Sequence, residues 1–179
     1  LKTNLKGVDL SEANLRRADL KGVDLSEANL RKADLRGADL TKAVLIKTDF
    51  RQADLSNVNL KWVNLRGANL SNANLHKANL LGAKLRGTIF KKANLSETNL
   101  KKTFLLRADL SEAYLTRANL SESDLSGAFF IKFFLIWGNL LGISCFLLFL
   151  LSISIFSYEF KILSENSIFD DPTLIIIYS

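Results

Sequence analysis

The chain has 179 residues, 48% of them hydrophobic, with 24 Lys and Arg against 18 Asp and Glu and a formal net charge of +6. The single histidine is His76, and the single cysteine, Cys145, lies within an apolar run, which excludes a disulfide framework, a zinc site and a thiol nucleophile within the chain. The carboxylates stand at regularly repeated positions, which argues against paired acid–base catalysis. We therefore predict a protein that is not an enzyme, with no catalytic residues, no cofactor and no metal site.

A period of five residues organises the first two thirds of the chain. Leucine or phenylalanine occupies every fifth position from Leu5 to Leu125, and a small residue always lies two places earlier. On a helix these leucines would fall ~140° apart, and in a straight strand they would alternate between opposite faces. They stay on the inside only if the backbone turns a corner once per repeat. The pattern therefore predicts a solenoid over residues 1–128.

The other positions of the repeat have distinct predicted roles. The residue between the small residue and the leucine points outward and is Asp or Asn in twenty of twenty-five repeats. Such side chains can hydrogen-bond nearby backbone groups, as in Asx turns. The two residues after the leucine form the corner, where glycine at seven repeats suits a backbone of positive φ.

Repeats such as Ala-Asn-Leu-Ser-Glu and Ala-Asp-Leu-Arg-Gly resemble the A(D/N)LXX pattern of the pentapeptide-repeat proteins, over residues 1 to about 128. The resemblance implies an all-β solenoid, a right-handed quadrilateral β-helix with four repeats per coil, stacked at ~4.8 Å. The residues themselves leave the number of sides open, because the segment 6–20 recurs almost unchanged at 21–35. A copy of that length would suit three sides equally well.

Residues 129–158 change in composition and are predicted to form one transmembrane α-helix. No charge occurs from Phe133 to Tyr158, a stretch longer than the ~20 residues that cross a bilayer as a helix. Trp137 and Tyr158 bracket the stretch at a spacing that suits two interfacial aromatic belts. The alternative is a helix that caps the solenoid, but such a helix needs only one apolar stripe, whereas this run is apolar nearly all round.

Charge predicts the orientation of the chain. The repeats carry 22 Lys and Arg against 14 Asp and Glu, a net of +8, whereas the residues beyond 128 carry two against four. The positive-inside rule then places the repeats in the cytoplasm and the short tail, 159–179, outside. In the tail, a turn at 170–172 precedes a second apolar run at 173–178. Two interpretations of this run stay open. It is an edge strand or a disordered end, or it is the start of a second membrane segment.

Two sets of residues are candidate contacts. Apolar and aromatic side chains replace polar ones in the last coils, and an exposed apolar cluster usually marks a contact with lipid or protein. The predicted interaction patch comprises Leu81, Ile89, Phe104, Leu106 and Tyr114. In the apolar run, Gly138 and Gly142 have the GxxxG spacing that lets two helices approach closely, which makes them the candidate helix–helix contact of a homodimer.

These observations predict a non-enzymatic scaffold anchored to a membrane by a single span, with a protein partner or membrane lipid as its ligand. The alternative is that the solenoid is the cytosolic regulatory or assembly domain of a multi-span channel or transporter. Some pentapeptide-repeat proteins resemble duplex DNA and protect type II topoisomerases. A mimic of DNA must be acidic, so the net charge of +8 disfavours that role. Nucleic acid is disfavoured as a partner for other reasons: for a chain tied to a membrane, lipid headgroups are the expected counterpart of the basic corners, and these corners lack the interleaved aromatic residues of single-strand binders.

Overall fold

The computed structural model describes residues 4–130, and these residues wind into a four-sided coil. Parallel bridges of one residue each join positions twenty apart, from Asn4 with Asp24 to Asp109 with Phe129. Within this described range the chain forms no helix and no strand longer than a single bridge. Twenty residues per coil make four repeats, which confirms the predicted number of sides and rules out the three-sided reading.

The register of twenty defines four faces. Face 1 contains the repeats centred on Leu5, Leu25 and every twentieth residue to Leu125, and faces 2, 3 and 4 begin at Leu10, Leu15 and Leu20. A corner is the pair of residues after each central residue. Corner 1/2 thus follows face 1, and corner 4/1 precedes it. Residues close in sequence lie on different faces, whereas residues twenty apart are stacked neighbours.

Backbone hydrogen bonds connect the coils at faces and corners alike. On face 2, the Leu30 amide donates to the Asp49 carbonyl at 2.8 Å, and the Asn29 amide donates to Val8 at 2.9 Å. At the following corner the Lys32 amide donates to Arg51 of the next coil at 3.0 Å. Because these bonds recur in every coil, the walls are rigid parallel ladders.

The inside of the coil is a closed column of aliphatic and aromatic side chains. Central residues from Leu25 to Leu105 are fully or almost fully buried, including Phe50 and Phe90, which lie two coils apart on face 2. Buried threonines complete their hydrogen bonding within the column, since the Thr48 hydroxyl donates to the Leu25 carbonyl at 2.8 Å. In the described residues no buried side-chain nitrogen or oxygen lacks a partner.

The repeats extend two residues beyond the predicted boundary at 128. Phe129, assigned from the sequence to the membrane segment, pairs with Asp109 as a bridge of face 2. Phe130 packs against the core as the central residue of one more repeat. This repeat was not recognised from the sequence because its outward position carries phenylalanine instead of Asp or Asn, so it was read as part of the apolar segment.

Every corner places its second residue in the left-handed region of the backbone. All twenty-five such positions have positive φ, and eighteen of them hold residues other than glycine. A left-handed conformation costs an ordinary residue about 1–2 kcal/mol. The outward Asp or Asn helps to hold the turn, since Asp24 Oδ1 accepts the Ser26 amide at 2.9 Å and Asn69 Oδ1 accepts the Ser71 amide at 3.0 Å. This confirms the predicted Asx turns.

At one corner glycine also makes room for a neighbour. Gly82 has φ +66°, and a Cβ added to it would lie 2.1 Å from Cζ3 of Trp62, one coil below. The indole therefore rests directly on the Gly82 backbone. Gly87 has nearly the same φ, +65°, but a Cβ there would meet nothing within 4 Å.

This difference predicts a coupling between Gly82 and Trp62. Gly82→Ala should lower the free energy of unfolding more than Gly87→Ala, because both incur the left-handed cost of about 1–2 kcal/mol but only the former displaces the indole. In a Trp62→Ala background the two glycine substitutions should cost the same. Urea unfolding of the single and double variants gives the coupling energy as a double-mutant cycle. Equal losses of unfolding free energy for the two glycine variants in the parent chain would contradict the contact.

Burial along one face predicts a graded response to cavity formation. Leu75 and Leu15 are both central residues of face 3, but Leu75 is fully buried and Leu15 is only partly buried at the first described coil. Leu75→Ala should lower the free energy of unfolding by roughly 2–5 kcal/mol, and Leu15→Ala by clearly less. Denaturant titration checks both variants. Equal effects would mean that the first coil is packed as tightly as the middle.

Candidate interaction surface

The structure divides the patch predicted from the sequence. Phe104 lies on face 1, with Leu81 at corner 4/1 and Leu106 at corner 1/2. Ile89 lies on face 2, and Tyr114, 65% exposed, lies on face 3, on the opposite side from face 1. The five residues lie in the last coils, as the sequence predicted, but on several sides, because a coil of twenty residues distributes sequence neighbours around four sides. Whether any of the five binds a partner stays a prediction.

Face 1 and its two corners nevertheless collect most of the apolar exceptions in the repeats. Val44, Lys84 and Phe104 belong to one outward column, with Asn64 between the first two. Two further apolar side chains lie at each corner. They are Trp62 and Leu81 at corner 4/1, and Ile46 and Leu106 at corner 1/2. Trp62 and Phe104 each expose about half of their surface, 52% and 53%.

The same surface is strongly basic. Nine cations lie on face 1 and its corners in the middle coils, and no Asp or Glu occurs on these positions between Glu27 and Glu122. The nine are Lys42, Lys47, Lys61, Arg66, Lys84, Arg86, Lys101, Lys102 and Arg107. We call face 1 with both corners, over residues 42–107, the basic–apolar face.

On the other sides, stacked charges neutralise one another. Lys77 lies 3.7 Å from Glu97, and Lys92 lies 3.7 Å from Glu112. Within one repeat, the Arg36 guanidinium donates to Asp34 at 2.8 Å, and this hydrogen bond lowers the pKa of the half-buried Asp34 carboxyl to about 2. The two lysine–glutamate pairs arise because residues twenty apart carry opposite charges, whereas Arg36 and Asp34 belong to the same repeat.

The basic–apolar face lacks this compensation. Among residues 4–130, eleven cations have no carboxylate within ion-pair distance, and seven of the eleven lie on this face. Only Lys101 and Lys102 of the nine are paired, both with Glu122. The other four unpaired cations are scattered over the remaining corners, at Arg17, Arg31, Lys91 and Arg117.

A shallow groove runs along corner 1/2. Its volume is about 440 Å³, and it is lined by Ile46, Lys47, Arg66, Gly67, Arg86, Gly87 and Arg107. Glycine at 67 and 87 leaves the floor open, since a Cβ at Gly87 would have free space. Four cations thus line one edge at the ~4.8 Å spacing of successive coils. Such a row can contact several anionic groups at once.

Sequence reasoning missed this row because its members are separate in the chain. Adjacent basic pairs such as Arg31-Lys32 and Lys91-Lys92 are more conspicuous in the sequence, yet Lys32 and Lys92 form ion pairs with glutamates on the neighbouring coil. The row becomes visible when corner residues are compared at intervals of twenty residues, the length of one coil. Taking every fourth corner, which is a step of twenty residues, brings Lys47, Arg66, Arg86 and Arg107 together.

Other predicted features fall outside this surface. His76 is half-buried at the corner after face 3, and the described residues contain no cluster suited to a metal ion. No helix of residues 4–130 is long and apolar enough to cross a membrane. The predicted span from residue 131 onward, including Gly138 and Gly142, lies outside the described residues.

Comparison with known proteins identifies the repeat. The family model "Pentapeptide repeats (8 copies)" matches residues 2–31, 18–57, 53–91 and 92–130. The crystal structure of the pentapeptide-repeat protein Rfr23 from the cyanobacterium Cyanothece 51142 is 31% identical, covers 72% of this chain and 88% of that chain, and superposes with a TM-score of 0.50.

Two further solved structures are similar. A pentapeptide-repeat protein of the Arabidopsis thaliana thylakoid lumen is 34% identical over 56% of this chain and 67% of that chain, with a TM-score of 0.43. QnrB1, a plasmid-mediated fluoroquinolone resistance protein, is 21% identical over 71% and 72%, with a TM-score of 0.31. No match to a curated protein was found. Pentapeptide-repeat proteins fold as right-handed quadrilateral β-helices, and this chain belongs to that family.

Proposed function

We propose that this chain is a non-enzymatic scaffold, held at a membrane by its apolar segment 133–158, that presents the basic–apolar face as its interaction surface. One observation carries the proposal: two features occur in the same chain. One is a rigid solenoid with a basic and apolar side whose cations mostly lack carboxylate partners. The other is a charge-free stretch long enough to span a bilayer. Together they favour a surface presented at a membrane.

A scaffold role agrees with how the polar side chains of the solenoid are used. Asp and Asn of the outward columns accept backbone amides of their own corners, and some also bridge coils, as where the Asn94 amide donates to Asn74 at 3.2 Å. Side chains committed to structure in this way are not arranged as an acid–base pair. The exposed cations and aromatic side chains of the basic–apolar face do not accept backbone amides in this way.

Charge also argues against mimicry of DNA. A protein that occupies a DNA-binding site must present negative charge where DNA presents phosphates. Face 1 and its corners present nine cations and no carboxylate between Glu27 and Glu122. The excess of Lys and Arg in the repeats also bears on orientation. By the positive-inside rule, we propose that the repeats lie on the cytoplasmic side of the membrane.

Charges placed within the apolar segment test the anchor. Leu147→Arg with Leu148→Arg should abolish carbonate-resistant association of the chain with membranes, because an arginine at the centre of a span costs about 2.5–3.5 kcal/mol. The matched variant Leu147→Ala with Leu148→Ala keeps the segment apolar and should remain in the membrane fraction. If the arginine variant remains there as well, the segment is not the anchor.

A further inference from the structure

We infer that the solenoid lies on its side against an anionic lipid surface, with the basic–apolar face on the headgroups. The inference rests on the proposed function and adds to it a lipid class and an orientation. A scaffold that merely projects from its anchor would leave this face in water. In the inferred arrangement the ladder of face 1 runs parallel to the bilayer plane.

Electrostatics supports a planar array of negative charge as the counterpart. Seven cations without a carboxylate partner are spread over successive coils, from Lys42 to Arg107; six lie at the two edges of one flat side and Lys84 lies on the side itself. The backbone ladder holds their attachment points in place, so little ordering is needed before they act together. Near an anionic leaflet each Lys or Arg shifts the equilibrium towards the surface roughly fivefold.

The apolar side chains explain why lipid fits better than a purely ionic ligand. Trp62 and Phe104 expose half of their surface, and they alternate with cations across the same side. Tryptophan and other aromatic side chains favour the headgroup level, while Lys and Arg contact phosphates. In a complex with nucleic acid, the cations would contact phosphates. Ile46 and Leu106 would then lose water without gaining an apolar contact. The mixture therefore favours a bilayer interface.

Trp62 is a direct reporter of this contact. The indole rests on Gly82 at corner 4/1, at the edge of the proposed contact surface. The only other tryptophan of the chain is Trp137, so the Trp137→Phe variant leaves Trp62 as the sole tryptophan. Lipids brominated on their acyl chains quench an indole only when it reaches the lipid interface.

The experiment uses full-length Trp137→Phe chain reconstituted into vesicles that contain brominated lipid. One set contains phosphatidylcholine alone, and the other also contains phosphatidylserine. We expect the Trp62 emission to be quenched and blue-shifted in the phosphatidylserine vesicles, to stay unquenched in the neutral vesicles, and to lose its quenching in high salt. Unquenched emission in both sets, from chain that co-floats with the vesicles, would overturn the inference and leave the face to a protein partner.

Two charge-matched variants locate the contact. In the first, Lys47, Arg66, Arg86 and Arg107 of corner 1/2 are replaced by Glu; in the second, Arg17, Arg31, Lys91 and Arg117 of the other corners are replaced by Glu. Each set holds one lysine and three arginines, with two residues at each corner position. Glutamate already occupies left-handed corner positions at Glu12 and Glu97, so both variants retain residues that the fold accepts.

The first variant should lose Trp62 quenching and the second should keep it. Equal loss in both would mean that net charge and not this face draws the solenoid to lipid, and the inference would fall. The anchor is scored separately by co-flotation in neutral vesicles. A chain that does not float with neutral vesicles but is quenched by anionic ones refutes the anchor and upholds the face; a chain that does neither refutes both.

Discussion

The left-handed residue at each corner is the constraint on which the rest of the structure depends. All twenty-five corners adopt positive φ at their second residue, although only seven of those residues are glycine. An ordinary residue is held in that conformation against its preference, so the stabilisation must come from elsewhere. It comes from the ladder of backbone hydrogen bonds between coils, from the Asx contacts at the corners, and from the buried column of leucines. No single corner is stable alone, and stacking makes all of them stable together.

Because those forces act through the backbone and the inward side chains, the outer positions are free to vary. Asp and Asn are useful there but not required: Val44, Lys84 and Phe104 occupy the same outward column and still form their bridges. The fold can therefore carry charge or hydrophobicity on any face without altering its core. On three sides the freedom is used for ion pairs between stacked coils, and on the basic–apolar face it is used for cations that lack partners.

The sequence predicted what depends on one repeat, except for the last repeat centred on Phe130, whose outward residue is phenylalanine. The inward leucines, the outward Asx contacts and the positive φ of the corners each follow from a residue and its neighbours within five positions. The number of sides does not, since any whole number of repeats per coil keeps the leucines inside, and only the resemblance to a family implied four. Which residues become neighbours depends on that number. For this reason Tyr114 and Phe104 were grouped from the sequence, although they lie on opposite sides, and Lys47 was not grouped with Arg66, Arg86 and Arg107.

The four-sided register has a consequence for how such a surface can change over time. An insertion or deletion of five residues leaves the core intact but rotates everything beyond it by a quarter turn. The near-identical segments 6–20 and 21–35 suggest that slippage by whole repeats has occurred in this chain. One such event between residues 42 and 107 would split the row of cations between two sides while folding proceeds as before. Selection that preserves the face would therefore appear as intolerance of length changes in a region where the core itself tolerates them.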